Sequence, residues 1–243
     1  FNVTNIVNGV AFNQIPFEAI GEHQVKTGGY GAEFGRSLGG VVNITSKRGT
    51  NEWKRGISVY AEPLSLRGSS VYADRDPVTA EWSLKDRDGG ADKWGVNLWA
   101  GGPIIQDKLY FFGLVQGETV KTKTFGSGTY TELKNDSPQY LVKFDWNVND
   151  RNTLELTAFS DKTTDKWHDW RTGTPYKFDP TKDVGTSEET TGGENMVLKW
   201  TGNLTNDLTL SALVGQGTYD RSSNLASADC PVVIDLRTSV RAD

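Results

Sequence analysis

From Trp53 onward, apolar and polar residues alternate with a period of two, the mark of strands that offer one greasy face. A first strand sets Ile57, Val59 and Ala61 against Ser58 and Tyr60. A second, over 93–100, sets Trp94, Val96, Leu98 and Ala100 against Gly95, Asn97 and Trp99. A third, 108–117, is apolar on both faces and leaves its facing open. A fourth puts Tyr140, Val142, Phe144 and Trp146 on one face and Gln139, Leu141, Lys143 and Asp145 on the other. A fifth opposes Leu154, Leu156 and Ala158 to Thr153, Glu155 and Thr157. A sixth opposes Met196, Leu198 and Trp200 to Asn195, Lys199 and Thr201, and a seventh opposes Leu208, Leu210, Ala212 and Val214 to Thr209 and Ser211.

The connections alternate in length. Residues 62–92, 118–137 and 161–193 are long; 101–107, 149–152 and 203–207 are short. Structureless loops beyond about 12–15 residues are uncommon in compact domains. Three at one end of an up-and-down meander suit a transmembrane barrel, whose turns are short on one side and long on the other. Trp53, Trp99, Tyr110, Phe111, Trp146 and Trp200 gather beside the short turns, where a girdle at the lipid boundary would lie. Trp99 shares the parity of Asn97 and does not fit that girdle. A secreted β-sandwich also alternates in this way, but its connections are usually short at both ends.

Composition narrows the choice. The charges, 26 basic and 31 acidic, leave a net −5, so no basic footprint for nucleic acid exists. The longest apolar run, Leu109–Val115, is far short of the roughly 18 residues of a membrane-spanning helix. Transmembrane strands need only about 9–11 residues, so a membrane barrel stays open. One cysteine, Cys230, and two distant histidines, His23 and His168, give little basis for a metal centre or an internal disulfide. His-Glu-x-x-His is not present. The chain is expected to be no enzyme and to need no cofactor; a β-sandwich glycosidase using a carboxylate pair is the enzymatic alternative. Phe1 opens without a signal peptide and the chain stops without a closing strand pattern, so an interior piece of a longer protein is expected.

Residues 1–52 are different in kind. Glycines recur at 28, 29, 31, 35, 39, 40 and 49, a density that suits close backbone packing, with short strands at 22–27 and 41–46. The stretch Val25-Lys-Thr-Gly-Gly-Tyr-Gly-Ala-Glu-Phe-Gly-Arg-Ser-Leu-Gly-Gly-Val-Val-Asn-Ile-Thr-Ser-Lys-Arg-Gly-Thr-Asn51 resembles the end of the plug domain of TonB-dependent outer-membrane receptors, in particular their Oar-like branch. Gly101-Gly-Pro-Ile-Ile-Gln-Asp-Lys-Leu-Tyr-Phe-Phe-Gly113 resembles the first periplasmic turn and third barrel strand of the same branch.

The resemblance implies an all-β fold: residues 1–52 are the C-terminal part of a plug, and 53–243 are about seven strands of a large antiparallel transmembrane barrel with long extracellular loops. It implies a bacterial outer-membrane receptor that takes up an extracellular ligand, energised by TonB through a box outside this chain. Outer-membrane lipid would surround it, and the branch tilts the ligand toward a peptide or protein. The plug motif comprises Gly28, Gly29, Gly31, Phe34, Gly35, Gly39, Gly40 and Asn43. Glu33 and Arg36 are candidate latch residues, pairing with wall charges such as Lys143, Asp145, Glu155 or Lys199. Asp165, Trp167, His168, Asp169 and Trp170, on the segment 161–179, are candidate contacts for a ligand or partner, with Asp165, His168 and Asp169 open to weak cation binding. Gly29-Tyr-Gly-Ala-Glu-Phe starts like a phosphate cradle but lacks its third glycine and lysine. Asn2 and Asn203 fit a glycosylation pattern that carries no such meaning in an outer membrane. A β-rich surface adhesin binding carbohydrate or protein is the alternative function.

Overall fold

The computed structural model describes residues 16–29, 40–68, 74–75, 82–84, 89–126, 129–171, 181–224, 233–235 and 240–242. The first elements are a 3-10 turn, Phe17–Ala19, and strands β1 (Ile20–Lys26) and β2 (Val41–Ser46), which pair antiparallel with Val25 opposite Val42. Next come β3 (Lys54–Glu62), the short pair β4 (Asp74–Arg75) and β5 (Trp82–Leu84), and the long strands β6 (Gly90–Ile105) and β7 (Leu109–Gly126). They are followed by β8 (Thr129–Asp136), β9 (Gln139–Asn149), β10 (Asn152–Ser160), β11 (Thr163–Arg171), β12 (Asp183–Gly192), β13 (Glu194–Asn203), β14 (Thr209–Gly217), β15 (Asp220–Asn224) and a last hairpin, β16 (Val233–Asp235) with β17 (Val240–Ala242).

Eleven of these strands form one antiparallel sheet. Its lower part runs β3-β6-β7-β9-β10-β13-β14, the seven strands that alternation predicts, in sequence order. The register aligns their greasy sides. Ile57 faces Leu98, Leu98 faces Val115, Val115 faces Tyr140, and Phe144, Leu156 and Leu198 form one row with Val214. This apolar face is bare: Ile57 is 66% and Val59 70% exposed.

The opposite face explains β7. Phe112 and Leu114 point there while Phe111 and Val115 share the bare face, so both sides of that strand are apolar for different reasons. Phe112, Leu114, Leu141 and Phe159 form the buried cluster, flanked by Trp99, and the turn at Ala19 packs onto them. Trp99 stacks on Phe112, with ring centres 6.3 Å apart. Trp99 and Tyr110 therefore leave the expected girdle; Trp53, Phe111, Trp146 and Trp200 stay on the bare face, with Phe144 against Phe111 at 5.4 Å.

The segments 118–137 and 161–193, expected as loops, are mostly strand. The upper part of β7 pairs with β8, β8 with β11, β11 with β12 and β12 with β15, extending the sheet upward. Their Thr, Lys and Glu residues form strands without a greasy stripe because water wets both faces. The strands are interrupted at one level. Ser137 and Pro138 separate β8 from β9, Asp161 and Lys162 separate β10 from β11, Gly193 separates β12 from β13, and Thr218 and Tyr219 separate β14 from β15. Pro138 has no N–H for the ladder.

Several aromatic rings lie over glycines across the strands. A side chain at Gly56 would collide with Trp99 at 2.7 Å, and one at Gly102 with Trp53 at 2.4 Å. Gly49 is as tight and less forgiving, since a Cβ there would sit 2.4 Å from the Phe111 carbonyl oxygen, which is backbone and cannot swing aside. Gly49→Ala is expected to lower stability by about 1–3 kcal/mol, as overpacking does. Gly68→Ala, with nothing within 4 Å, is the control. A denaturant titration of the two variants checks it.

Candidate functional site

On the face opposite the bare one, Asp145 of β9 stands directly across from Glu155 of β10, which stands across from Lys199 of β13. Two carboxylates placed side by side repel. Three cations resolve this. Lys143 lies between them, its Nζ 3.7 Å from Asp145 Oδ1 and 3.6 Å from Glu155 Oε2. Lys199 Nζ is 3.7 Å from Glu155 Oε1. Arg48, from the strap that leaves β2, closes the other end, its NH2 group donating to Asp145 Oδ1 at 2.8 Å and its Nε to Oδ2 at 3.5 Å. The hydrogen bond to Asp145 pushes the Arg48 guanidinium above its ordinary range, with burial pulling the other way.

The strap is fastened along its length. Lys47 donates its backbone N–H to the Ala19 carbonyl at 2.7 Å, and its Nζ lies 3.9 Å from Glu18 and 5.7 Å from the centre of the Trp99 ring. Ser58 of β3 donates to Glu18 at 3.1 Å. Gly49 passes against Phe111. Asn51 Nδ2 donates to Asp107 Oδ1 at 2.6 Å, and Asn51 Oδ1 accepts the Asp107 N–H at 2.9 Å. Asp107 has φ 62, the left-handed region that aspartate tolerates in a tight turn. The short turn between β6 and β7 is thus tied to the strap. The arrangement suits holding and releasing a segment against a wall, and involves no bond-making.

Of the motif residues, Gly28 and Gly29 follow β1, with φ 68 at Gly29; Gly40 precedes β2, and Asn43 lies on β2 opposite Gln24. Gly31, Glu33, Phe34, Gly35, Arg36 and Gly39 lie outside the described residues. Among the described residues it is Arg48 that meets the wall charges named from the sequence. Sequence reading passed it over; its signal is the basic doublet Lys47-Arg48 where the chain leaves β2 for β3.

Asp165, Trp167, His168, Asp169 and Trp170 lie on β11, which splits them. Asp165, Trp167 and Asp169 share the face of Asn135, Leu133 and Thr131, while His168 and Trp170 share that of Glu132 and Tyr130. Asn135 donates to Asp165 at 2.5 Å and Thr131 to Asp169 at 2.6 Å. On the other side His168 stacks on Trp170 at 3.7 Å and meets Asp183 at 2.9 Å. Asp165, His168 and Asp169 therefore do not converge on a cation, because neighbours on one strand point to opposite sides.

At the level of the interruptions Asp161 is buried, accepting the Gly193 N–H at 3.0 Å. Burial pushes its carboxyl above the ordinary 3.8, while the backbone N–H bonds pull it down. The native state then holds the proton more tightly than the unfolded chain, so stability falls as pH rises from about 3.8 through the raised native value. Asp161→Asn keeps the acceptor and removes the charge. It is expected to abolish that slope and to match or exceed the wild type at pH 7, read from denaturation midpoints between pH 3.5 and 7.

No family model matches the chain, and no solved structure matches it. Over 106 residues it is 33% identical to the TonB-dependent transporter Oar of Myxococcus xanthus, a stretch covering 43% of this chain and 9% of that protein. The chain is thus similar, along a short part of that relative's length, to a transporter and not to an enzyme.

Proposed function

We propose that residues 1–52 are the end of a plug, that 53–243 begin the barrel of a TonB-dependent, Oar-like receptor in a bacterial outer membrane, and that the receptor imports an extracellular ligand. The observation that carries this is the sheet's two-sidedness. The face with Ile57, Val59, Leu98 and Val214 is bare across seven strands, while the strap and the turn at Ala19 cover the other around Phe112, Leu141 and Asp145. Exposed apolar patches on soluble monomers rarely exceed a few hundred Å². The dimensions agree. From Trp94 to Gly102, where Trp53 lies, β6 runs eight residues, about 26 Å at ~3.3 Å each. At the roughly 35–45° tilt of such barrels this spans about 19–22 Å of their roughly 25 Å apolar band.

In this reading the strap is the hinge between plug and wall. Force from TonB, applied to the plug on the periplasmic side, meets the ion ladder through Arg48, and release of that clasp lets the plug shift and the ligand pass. Asp165, Trp167 and Asp169 then line the inside of the mouth, where a ligand arrives, and His168 and Trp170 face outward. Glu33 and Arg36 add further plug charges to the latch. Fractionation of cells expressing the full-length protein tests the reading. It is expected in outer membranes, requiring detergent for extraction and migrating differently on gels before and after heating. A protein that stays in the soluble fraction without detergent ends it.

A further inference from the structure

The registers of β9–β10 and β8–β11 join without a slip, as do those of β10–β13 and β11–β12, so Asp161 stands between Gln139 and Gly193 on the strap side of the sheet. A hydrogen-bonded pair of facing residues exchanges two backbone bonds. Here Asp161 gives its N–H to the Gly193 carbonyl at 3.1 Å, but the Gly193 N–H goes to Asp161 Oδ1 at 3.0 Å. The Asp161 carbonyl lies against Gly192, where φ is 97 and a Cβ would sit 2.5 Å from it. A titratable side chain thus replaces a backbone carbonyl in the ladder, at the level where four neighbouring ribbons are interrupted. Asp161 is 7% exposed, and no cation lies within ion-pair distance of it among the described residues. Its neighbours on this face, Ser137, Gln139, Phe159, Thr163, Thr191 and Asn195, do not titrate. The charges beyond them have partners of their own: Glu118 has Lys93 and Tyr60, Lys143 has Asp145 and Glu155, Glu189 has Arg221, Glu18 has Lys47, and Asp165 has Asn135. Lys162 and Glu194 belong to the other face.

We propose that Asp161 is a proton-controlled rung: the crease holds while its carboxyl is neutral and opens when the carboxyl ionises. A carboxylate sealed here has the Gly193 N–H in place of its water and no positive charge to offset the loss. Burial accordingly raises the carboxyl above the ordinary 3.8, against the pull of the backbone N–H bonds. Opening the crease returns water to it, so the open form ionises at the ordinary value and the closed form only at a higher pH. The opening equilibrium then grows by up to about tenfold per pH unit between those two values and is level above them. In the proposed receptor, acid stiffens the base of the rim and rising pH frees it. The rung itself needs no membrane, so it stands or falls apart from the receptor reading.

The test is native-state hydrogen exchange on the full-length protein between about pH 4 and 8, read by mass spectrometry and corrected for the chemical exchange rate. In the wild type, peptides spanning 159–164 and 191–196 are expected to open more as pH rises, by up to about tenfold per unit before levelling, while 152–157 and 198–203 stay flat. Asp161→Asn keeps the acceptor without the charge and is expected to hold the crease shut at every pH. Asp161→Ala removes the rung and is expected to leave the crease open, without a slope, at every pH. A rise in Asp161→Asn equal to that of the wild type overturns the inference, as does equal protection of the crease in Asp161→Ala and Asp161→Asn. A slope shared by crease and floor also overturns it, because the carboxyl then ionises only when the whole sheet unfolds. That last comparison uses the wild type alone, so it decides the matter even where a variant does not fold.

Discussion

Asp145→Ala is expected to be the most damaging single change in the ion ladder, at about 3–5 kcal/mol, because it strands buried charge. The Asp145 side chain is only 5% exposed and that of its neighbour Lys143 8%, so water cannot take over the lost partner. Arg48→Ala is expected to remove much less, about 1 kcal/mol or below, since the arginine is 59% exposed and its loss leaves Asp145 paired with Lys143. The double variant isolates the Arg48–Asp145 coupling. Urea unfolding of the four proteins of this cycle gives the numbers, and protease sensitivity of the strap gives the local effect. Equal losses from the two single changes would contradict the ladder, in which one member is sealed and the other a clasp. If the clasp holds the plug, Arg48→Ala also raises strap cleavage while hardly altering global unfolding.

The second large effect separates a membrane wall from a soluble sheet. Val142 lies mid-strand on the bare face and Thr157, one strand over, on the opposite face. Val142→Arg is expected to cost about 2–4 kcal/mol in lipid, the depth-dependent price of a cation at the bilayer midplane. Thr157→Arg faces the polar side beside Lys143 and is expected to disturb packing and charge balance but to insert normally. Folding into vesicles, followed by denaturant titration, reads both. A sheet bathed in water would let arginine reach solvent from partly buried Val142 at a cost of about 1 kcal/mol or less, and that result would remove the membrane from the account.

The lower sheet was legible because each of its strands has one apolar and one largely polar face, and a period of two records the difference. β7 broke the rule where the turn at Ala19 supplies a second greasy surface; no residue of β7 announces a partner almost a hundred positions earlier. The extensions β7–β8 and β11–β12 were read as loops because strands wet on both sides lack alternation. Their threonines, as in Thr119, Thr122 and Thr124, carried the only local hint. The wall charges at Lys143, Asp145, Glu155 and Lys199 could be named, since charged residues on the polar side of such strands have few places to go. Their partner could not. The strap that leaves β2 brings Arg48 to Asp145 across 97 positions by backbone path, not by pattern.

The alignment of Pro138, Lys162, Gly193 and Thr218 has a mechanical consequence. Four neighbouring ribbons lose ladder continuity at one height, while β6 and β7 run through unbroken. Bending there swings the upper panel as a single flap hung on β7, leaving the charged rungs beneath it undisturbed. In the proposed receptor, bending at that height changes the aperture of the rim while the floor stays shut, which uncouples capture from release.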